Sequence, residues 1–159
     1  MVVVLALGLL LAMVPAVRRI RRLAGLHPGA AVFSARWTKS VGQSLVGLGA
    51  LTEDDVRRLF ALSITVLADQ QGLGIWLGVG EPRRIFQLPW EAVRDVSVVD
   101  AYNGPSRMNA LRLSITDPRA IDLDLPLSSN RWMGLIPANR ASAESVAGVV
   151  GGFRSAMTS

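Results

Sequence analysis

The most chemically suggestive pattern in the chain is a pair of carboxylates in "IDLDLPL" (121–127), where Asp122 and Asp124 alternate with Ile121, Leu123 and Leu125. Alternation places both acids on one side of a strand, where two carboxylates can divide acid and base roles or share a divalent cation. Without a third ligand nearby, they read more simply as the wet face of an amphipathic strand. The single histidine, His27, has no Cys, Asp or Glu within ten residues and makes a poor metal or catalytic candidate. "GQSLVG" around Ser44 misses the G-x-S-x-G elbow by one residue. "GLGIWLGVG" (72–80) has neither the G-x-G-x-x-G nor the G-x-x-x-x-G-K-[ST] spacing, so its glycines point to sheet twist and close packing rather than to a nucleotide. With no cysteine, there is no disulfide, thiolate metal site or thiol nucleophile. These residues predict no enzyme, no cofactor and no metal.

Charge placement narrows the remaining classes. The formal net charge is +5, but Arg18, Arg19, Arg21 and Arg22 supply four of the 17 basic residues within one short stretch, leaving 13 against 12 acids elsewhere. A nearly neutral remainder with scattered arginines argues against nucleic acid.

"MVVVLALGLLLAMVPAV" carries no charged side chain and no polar face before that arginine cluster. A secretory signal has its positive charges before the apolar core, and here they follow it. At 1.5 Å per residue the stretch spans about 25 Å, short of a bilayer but eased by snorkelling arginines. The expectation is a single-pass cell-membrane anchor with Arg18, Arg19, Arg21 and Arg22 as its basic flank, the N-terminus outside and the domain cytoplasmic. Residues 1–22 are then the transmembrane helix and flank, 23–31 a linker containing Gly25, Pro28 and Gly29, and 32–159 the domain.

The domain reads mostly as strands. "ALSITV" (61–66), "GLGIWLGV" (72–79), "RRIFQLPW" (83–90), "VRDVSVV" (93–99), "LRLSIT" (111–116) and "IDLDLPL" are apolar or alternating runs, and many are joined by turn-rich pieces such as "DQQG", "GEP" and "YNGPS". Short separations predict antiparallel neighbours. A first strand falls near 32–37, followed by a glycine-rich stretch whose fold the residues leave open. In "LTEDDVRRLFAL", Thr52 can cap a helix with Asp55 three residues on. Val146, Val149, Val150, Phe153 and Met157 form one helical stripe near the end of the chain. The tryptophans, Trp37, Trp76, Trp90 and Trp132, fill or border a core.

"ADQQGLGIWL", followed by "LPWEAVRDV", "ALRLSI" and "IDLDLPL", resembles the bacterial PH-like domains of small actinobacterial single-pass membrane proteins, from about Ser63 to the C-terminus. Sixteen arginines to one lysine suit a high-GC bacterium. The resemblance implies an α+β chain: two orthogonal antiparallel sheets of about seven strands, closed by a C-terminal amphipathic helix. The hairpin turn "DQQG" carries an acid where eukaryotic phosphoinositide sites carry bases, so no phosphoinositide is expected. The function that follows is a membrane-anchored, non-catalytic interaction module that binds a protein partner or self-associates. An anionic-lipid sensor working through the arginines is the alternative.

Overall fold

Alternating apolar residues become two sheets whose inner faces share one core. The computed structural model describes residues 17–59, 63–77, 81–116, 120–129 and 137–158. A helix over 17–26 (α1) precedes β1 (Ala31–Arg36), α2 (Lys39–Gly47) and α3 (Glu53–Arg58). β2 (Ser63–Asp69), β3 (Gly72–Leu77) and β4 (Arg83–Leu88) follow, then a 3-10 turn at Trp90–Ala92, β5 (Val93–Asn103), β6 (Ser106–Ile115), β7 (Ile121–Pro126) and α4 (Arg140–Thr158). The fold is α+β, with a four-stranded sheet in the order β1-β2-β3-β4 and a three-stranded sheet in the order β5-β6-β7. All strand pairs within them are antiparallel. Phe33, Ile64, Val66, Ile75, Leu111, Leu113, Leu123 and Leu125 are among the core residues. An Ala35–Leu127 bridge and the Ser128 N–H donating to the Ser34 carbonyl at 3.0 Å join the sheets at one corner.

At the opposite connection, Trp90 is fully buried and its Nε1 donates to the Asp69 carbonyl at 2.7 Å. This bond ties the turn between the sheets to the β2–β3 hairpin. Gly72 starts β3 at φ +138, where a Cβ would lie 2.2 Å from the Leu88 carbonyl oxygen, so only glycine fits the corner.

The membrane anchor is corrected. Among the described residues no helix is long and apolar enough to cross a membrane, and the apolar stretch before residue 17 lies outside the described residues. The segment expected to be a basic flank and linker is instead helical over 17–26 and docks on the first sheet. Leu23 is 1% exposed and Arg19 6% exposed, one helical turn apart on the same face. The Arg19 Nε donates to the Thr65 hydroxyl at 2.6 Å, and its Nη2 to the Ser63 carbonyl at 3.2 Å. An arginine fixed in the domain body cannot snorkel to head groups. The transmembrane helix, the single-pass cell-membrane location, the outside N-terminus with its cytoplasmic domain, and the membrane as a partner are therefore withdrawn. Burial pushes the Arg19 guanidinium below its ordinary pKa, yet a guanidinium stays protonated in proteins. Its desolvation is offset by these bonds.

The docking of α1 also explains why Thr65, which alternates with the core residues Ile64 and Val66 and faces away from them, is fully buried. Two further elements add to or depart from the sequence expectation. The glycine-rich stretch after β1 is helical: the Thr38 hydroxyl caps α2 at Val41 N, and Val41 and Leu45 enter the core. Gly42 sits where a Cβ would meet Val56 Cγ1 at 2.9 Å and Trp37 Cζ2 at 3.3 Å, so this glycine serves close packing of α2 on α3. On α4 the buried line runs through Ala143, Val146, Ala147, Val150 and Phe153, whereas Val149 and Met157 are about half exposed at 48% and 51%. The helix is turned so that small alanines meet the sheet and Arg154 Nε reaches the Val93 carbonyl at 2.9 Å.

Thr52 and Asp55 form the reciprocal cap of α3. Donation to Asp55 from the Thr52 backbone and hydroxyl holds its carboxyl below the ordinary range. The cap is therefore fully present above the usual carboxylate pKa and is lost as pH falls through the lowered one.

Three outcomes follow for urea denaturation. Gly72→Ala is expected to cost at least about 2 kcal/mol through backbone strain, while Gly148→Ala, where a Cβ meets nothing within 4 Å, is expected to add up to about 1 kcal/mol of helix propensity. Thr65→Val keeps the shape but removes the acceptor from the buried Arg19, and a loss of about 1–3 kcal/mol is expected. An unchanged midpoint for Thr65→Val would refute the seating of α1.

Candidate interaction surface

With α1 seated by Arg19 and Leu23, Arg18, Arg21 and Arg22 lie on its exposed side. Arg22 Nη2 reaches Glu81 Oε1 at 3.6 Å, which brings the helix beside the start of β4. The sheet register then adds a second source of charge. Trp76 on β3 pairs with Thr65 on one side and Arg84 on the other, so it lies on the same outer face that receives Arg19. The Arg84 guanidinium carbon lies 5.8 Å from the centroid of the half-buried Trp76 ring, within cation–π range. Arg84 Nη1 also donates to Gln87 Oε1 at 2.9 Å, so two contacts orient the guanidinium.

Glycine makes room for the indole: a Cβ on Gly74 would lie 3.0 Å from Trp76 Nε1. His27, in the turn after α1, lies against the same indole with ring centroids 6.3 Å apart and planes tilted by 59°. The lone histidine is thus part of an aromatic edge. Arg83 and Arg84 are both exposed. The surface comprises Arg18, Arg21 and Arg22 on the exposed side of α1 and Arg84 on β4 beside Trp76, with Glu81 as the acid joined to Arg22, while Arg83 pairs with the core residue Leu77 and belongs to the other face.

Of the four arginines singled out by the sequence, three belong to this surface and Arg19 is its buried pin. Arg84 and Trp76 were missed because they are neighbours of α1 only through strand register. The available signal was the position of Trp76 and Arg84 on either side of a short connection, since a hairpin brings such positions side by side.

The other candidates are held in structural bonds. Arg112 binds Asp124 through two hydrogen bonds of 2.7 and 2.8 Å and lies 3.7 Å from Asp122. Ser114 Oγ donates to Asp122 at 2.8 Å. The Asp124 hydrogen bond raises the Arg112 guanidinium above its ordinary value. No cluster of metal-ligating side chains occurs among the described residues. Ser44 lies in α2 and its hydroxyl donates to the Asp122 carbonyl at 3.2 Å, anchoring the helix to β7. A groove of about 550 Å³ between α2 and α3 is lined by Lys39, Gln43, Val46, Val56, Glu53 and Arg57, and its Arg57 lies 3.7 Å from Glu53. A second hollow, of about 420 Å³, brings together Leu26, His27, Asp69, Gln71 and Phe153. There Asp69 Oδ1 accepts from Gln71 N at 2.8 Å and shapes the turn. Trp37 packs against the core and Trp90 lies within it, while Trp132 and most of the "NRWMGLIP" loop lie outside the described residues.

What distinguishes the α1–β4 surface is therefore convergence of guanidinium groups from two distant segments beside an aromatic ring. No protein-family model, curated protein or solved structure matches the chain.

Proposed function

We propose that the chain is a non-catalytic, PH-like interaction module whose arginine surface on α1 and β4 binds an acidic segment of a protein partner. The observation that carries this reading is the placement of Arg84 over Trp76 on the outer face of the first sheet, beside the helix α1 whose exposed side carries Arg18, Arg21 and Arg22. The order of four strands, three strands and a terminal helix supports the PH-like part of the reading. Guanidinium groups pair with carboxylates through two parallel bonds, so a surface of separate arginines suits side-chain carboxylates along an extended segment. The indole adds apolar area and a flat ring beside the charges.

An acidic protein segment is favoured over a nucleic acid because Glu81 is joined to Arg22 within the surface and residues after Arg22 are nearly neutral in sum. The carboxylates and serine that could do chemistry are committed to Arg112, Ser114 and the β7 backbone. That commitment supports a binding role over catalysis.

Fluorescence anisotropy with a labelled peptide of alternating glutamate and glycine tests the proposal on the full chain. Exposed ion pairs contribute roughly 0.2–1 kcal/mol each, so the combined variant Arg18→Glu, Arg21→Glu and Arg84→Glu is expected to bind about tenfold or more weakly. Affinity should also fall with added salt. Asp124→Asn, on the other sheet, is expected to leave the peptide affinity unchanged. Equal binding by the triple variant would overturn the proposal, as would tighter binding of single-stranded DNA or of vesicles containing phosphatidylserine.

A further inference from the structure

We infer that one side-chain carboxylate of the acidic segment seats between the Trp76 indole N–H and the Arg84 guanidinium, in the place that the Gln87 carboxamide now holds. The inference rests on the acidic-segment reading of this surface. Trp76 Nε1 is a buried donor with no hydrogen-bond partner among the described residues, and folded proteins leave few such groups unmatched. Its surroundings are specific. A Cβ on Gly74 would lie 3.0 Å from Trp76 Nε1, 3.5 Å from Gln87 Oε1 and 3.7 Å from Arg84 Cδ, so the three side chains ring one point on the outer face of the first sheet. Register puts them there: Gly74 pairs with Gln87 and Trp76 with Arg84, while Gly74 and Trp76, two apart on β3, share a face.

Gln87 accounts for the unmatched donor and for the chemistry that would match it. Its Oε1 accepts from Arg84 Nη1 at 2.9 Å, and the other arm of a carboxamide is an NH2, which donates and cannot answer an indole N–H. A carboxylate has the same planar shape with an acceptor on both arms. One oxygen takes the guanidinium as an ion pair in place of the neutral amide, and the other takes the indole N–H. Gln87 and Arg84 are both exposed, and β4 is the edge strand of its sheet. The carboxamide can therefore swing to water and leave the seat to a side chain arriving from solvent.

Because glutamate has the shape of glutamine, the seat can be filled from within the chain. Proton–nitrogen NMR of the full chain reads the indole N–H groups of its four tryptophans, and Trp76→Phe assigns the one concerned. In Gln87→Glu, without any ligand, the Trp76 indole proton is expected to move downfield as a charged oxygen accepts it. The same variant is expected to bind the alternating glutamate–glycine peptide about tenfold more weakly, its own carboxylate holding the seat. Gln87→Ala, which empties the seat, is expected to bind about twofold more tightly, and Trp76→Phe, which keeps a ring and loses the donor, about tenfold more weakly. In the wild-type chain the peptide should move the Trp76 signal downfield, and a glutamine–glycine peptide should not. Melting temperatures report whether each variant folds. A Trp76 signal unmoved in Gln87→Glu would overturn the seat whatever the peptide does, as would peptide affinity unchanged by Trp76→Phe. Equal peptide binding by Arg18→Glu combined with Arg21→Glu would instead overturn the acidic-segment reading, so the two failures are distinguishable.

Discussion

The position of one desolvated guanidinium governs what the first sheet can present. Arg19 lies under α1 against β2, bonded to Thr65 and Ser63, and its charge is tolerable there only while those oxygens face it. Because the oxygens belong to positions two apart on one strand, the arginine fixes both the height and the rotation of α1. Rotation decides which neighbours are exposed: with Arg19 and Leu23 turned inward, Arg18, Arg21 and Arg22 must face away. The helix also covers the outer side of β2, which is why five consecutive residues of that strand, Ile64 to Ala68, are buried. A sheet covered on both faces has little freedom to shift register, and the juxtaposition of Trp76 with Arg84 inherits that rigidity.

The second sheet is positioned by a different device. Trp90 fills the turn between β4 and β5, and its indole N–H satisfies the Asp69 carbonyl at the far hairpin. A large apolar body with one polar tip can be buried without penalty when the tip finds a partner, and here the partner lies in the other sheet's turn. Together with the Ala35–Leu127 bridge, this connects the sheets at two separated points. The three-stranded sheet can then carry the partly exposed pair Arg112 and Asp124 on its outer face.

The strands were legible because each buries one face against a common core, and burial of one face writes a period of two into the residues. The cap of α3 was legible because Thr52 and Asp55 bond locally and need nothing distant. α2 was hidden, since Gly42 lowers helix propensity for a reason visible only when Val56 and Trp37 are in place. α1 was misjudged for a physical reason: an apolar stretch followed by arginines has one composition whether it ends at a bilayer or on a sheet. Only the partners of Arg19 distinguish the two. The same holds for Asp122 and Asp124, whose shared strand face was readable, while the guanidinium across the ladder that answers them was not. The arginine surface lay furthest from reach, because it depends at once on α1 docking and on the β3–β4 register.

α4 carries three glycines, Gly148, Gly151 and Gly152, and none of them has a neighbour that a Cβ would touch. A segment so poor in intrinsic helicity has little reason to coil before a surface exists to receive Ala143 and Val150. Its amide protons should accordingly exchange with solvent sooner than those of the inner strands, through openings that leave both sheets intact. Such a helix would join the fold after the sheets in time, and its stabilising contacts would govern how slowly the native state opens more than how quickly it forms.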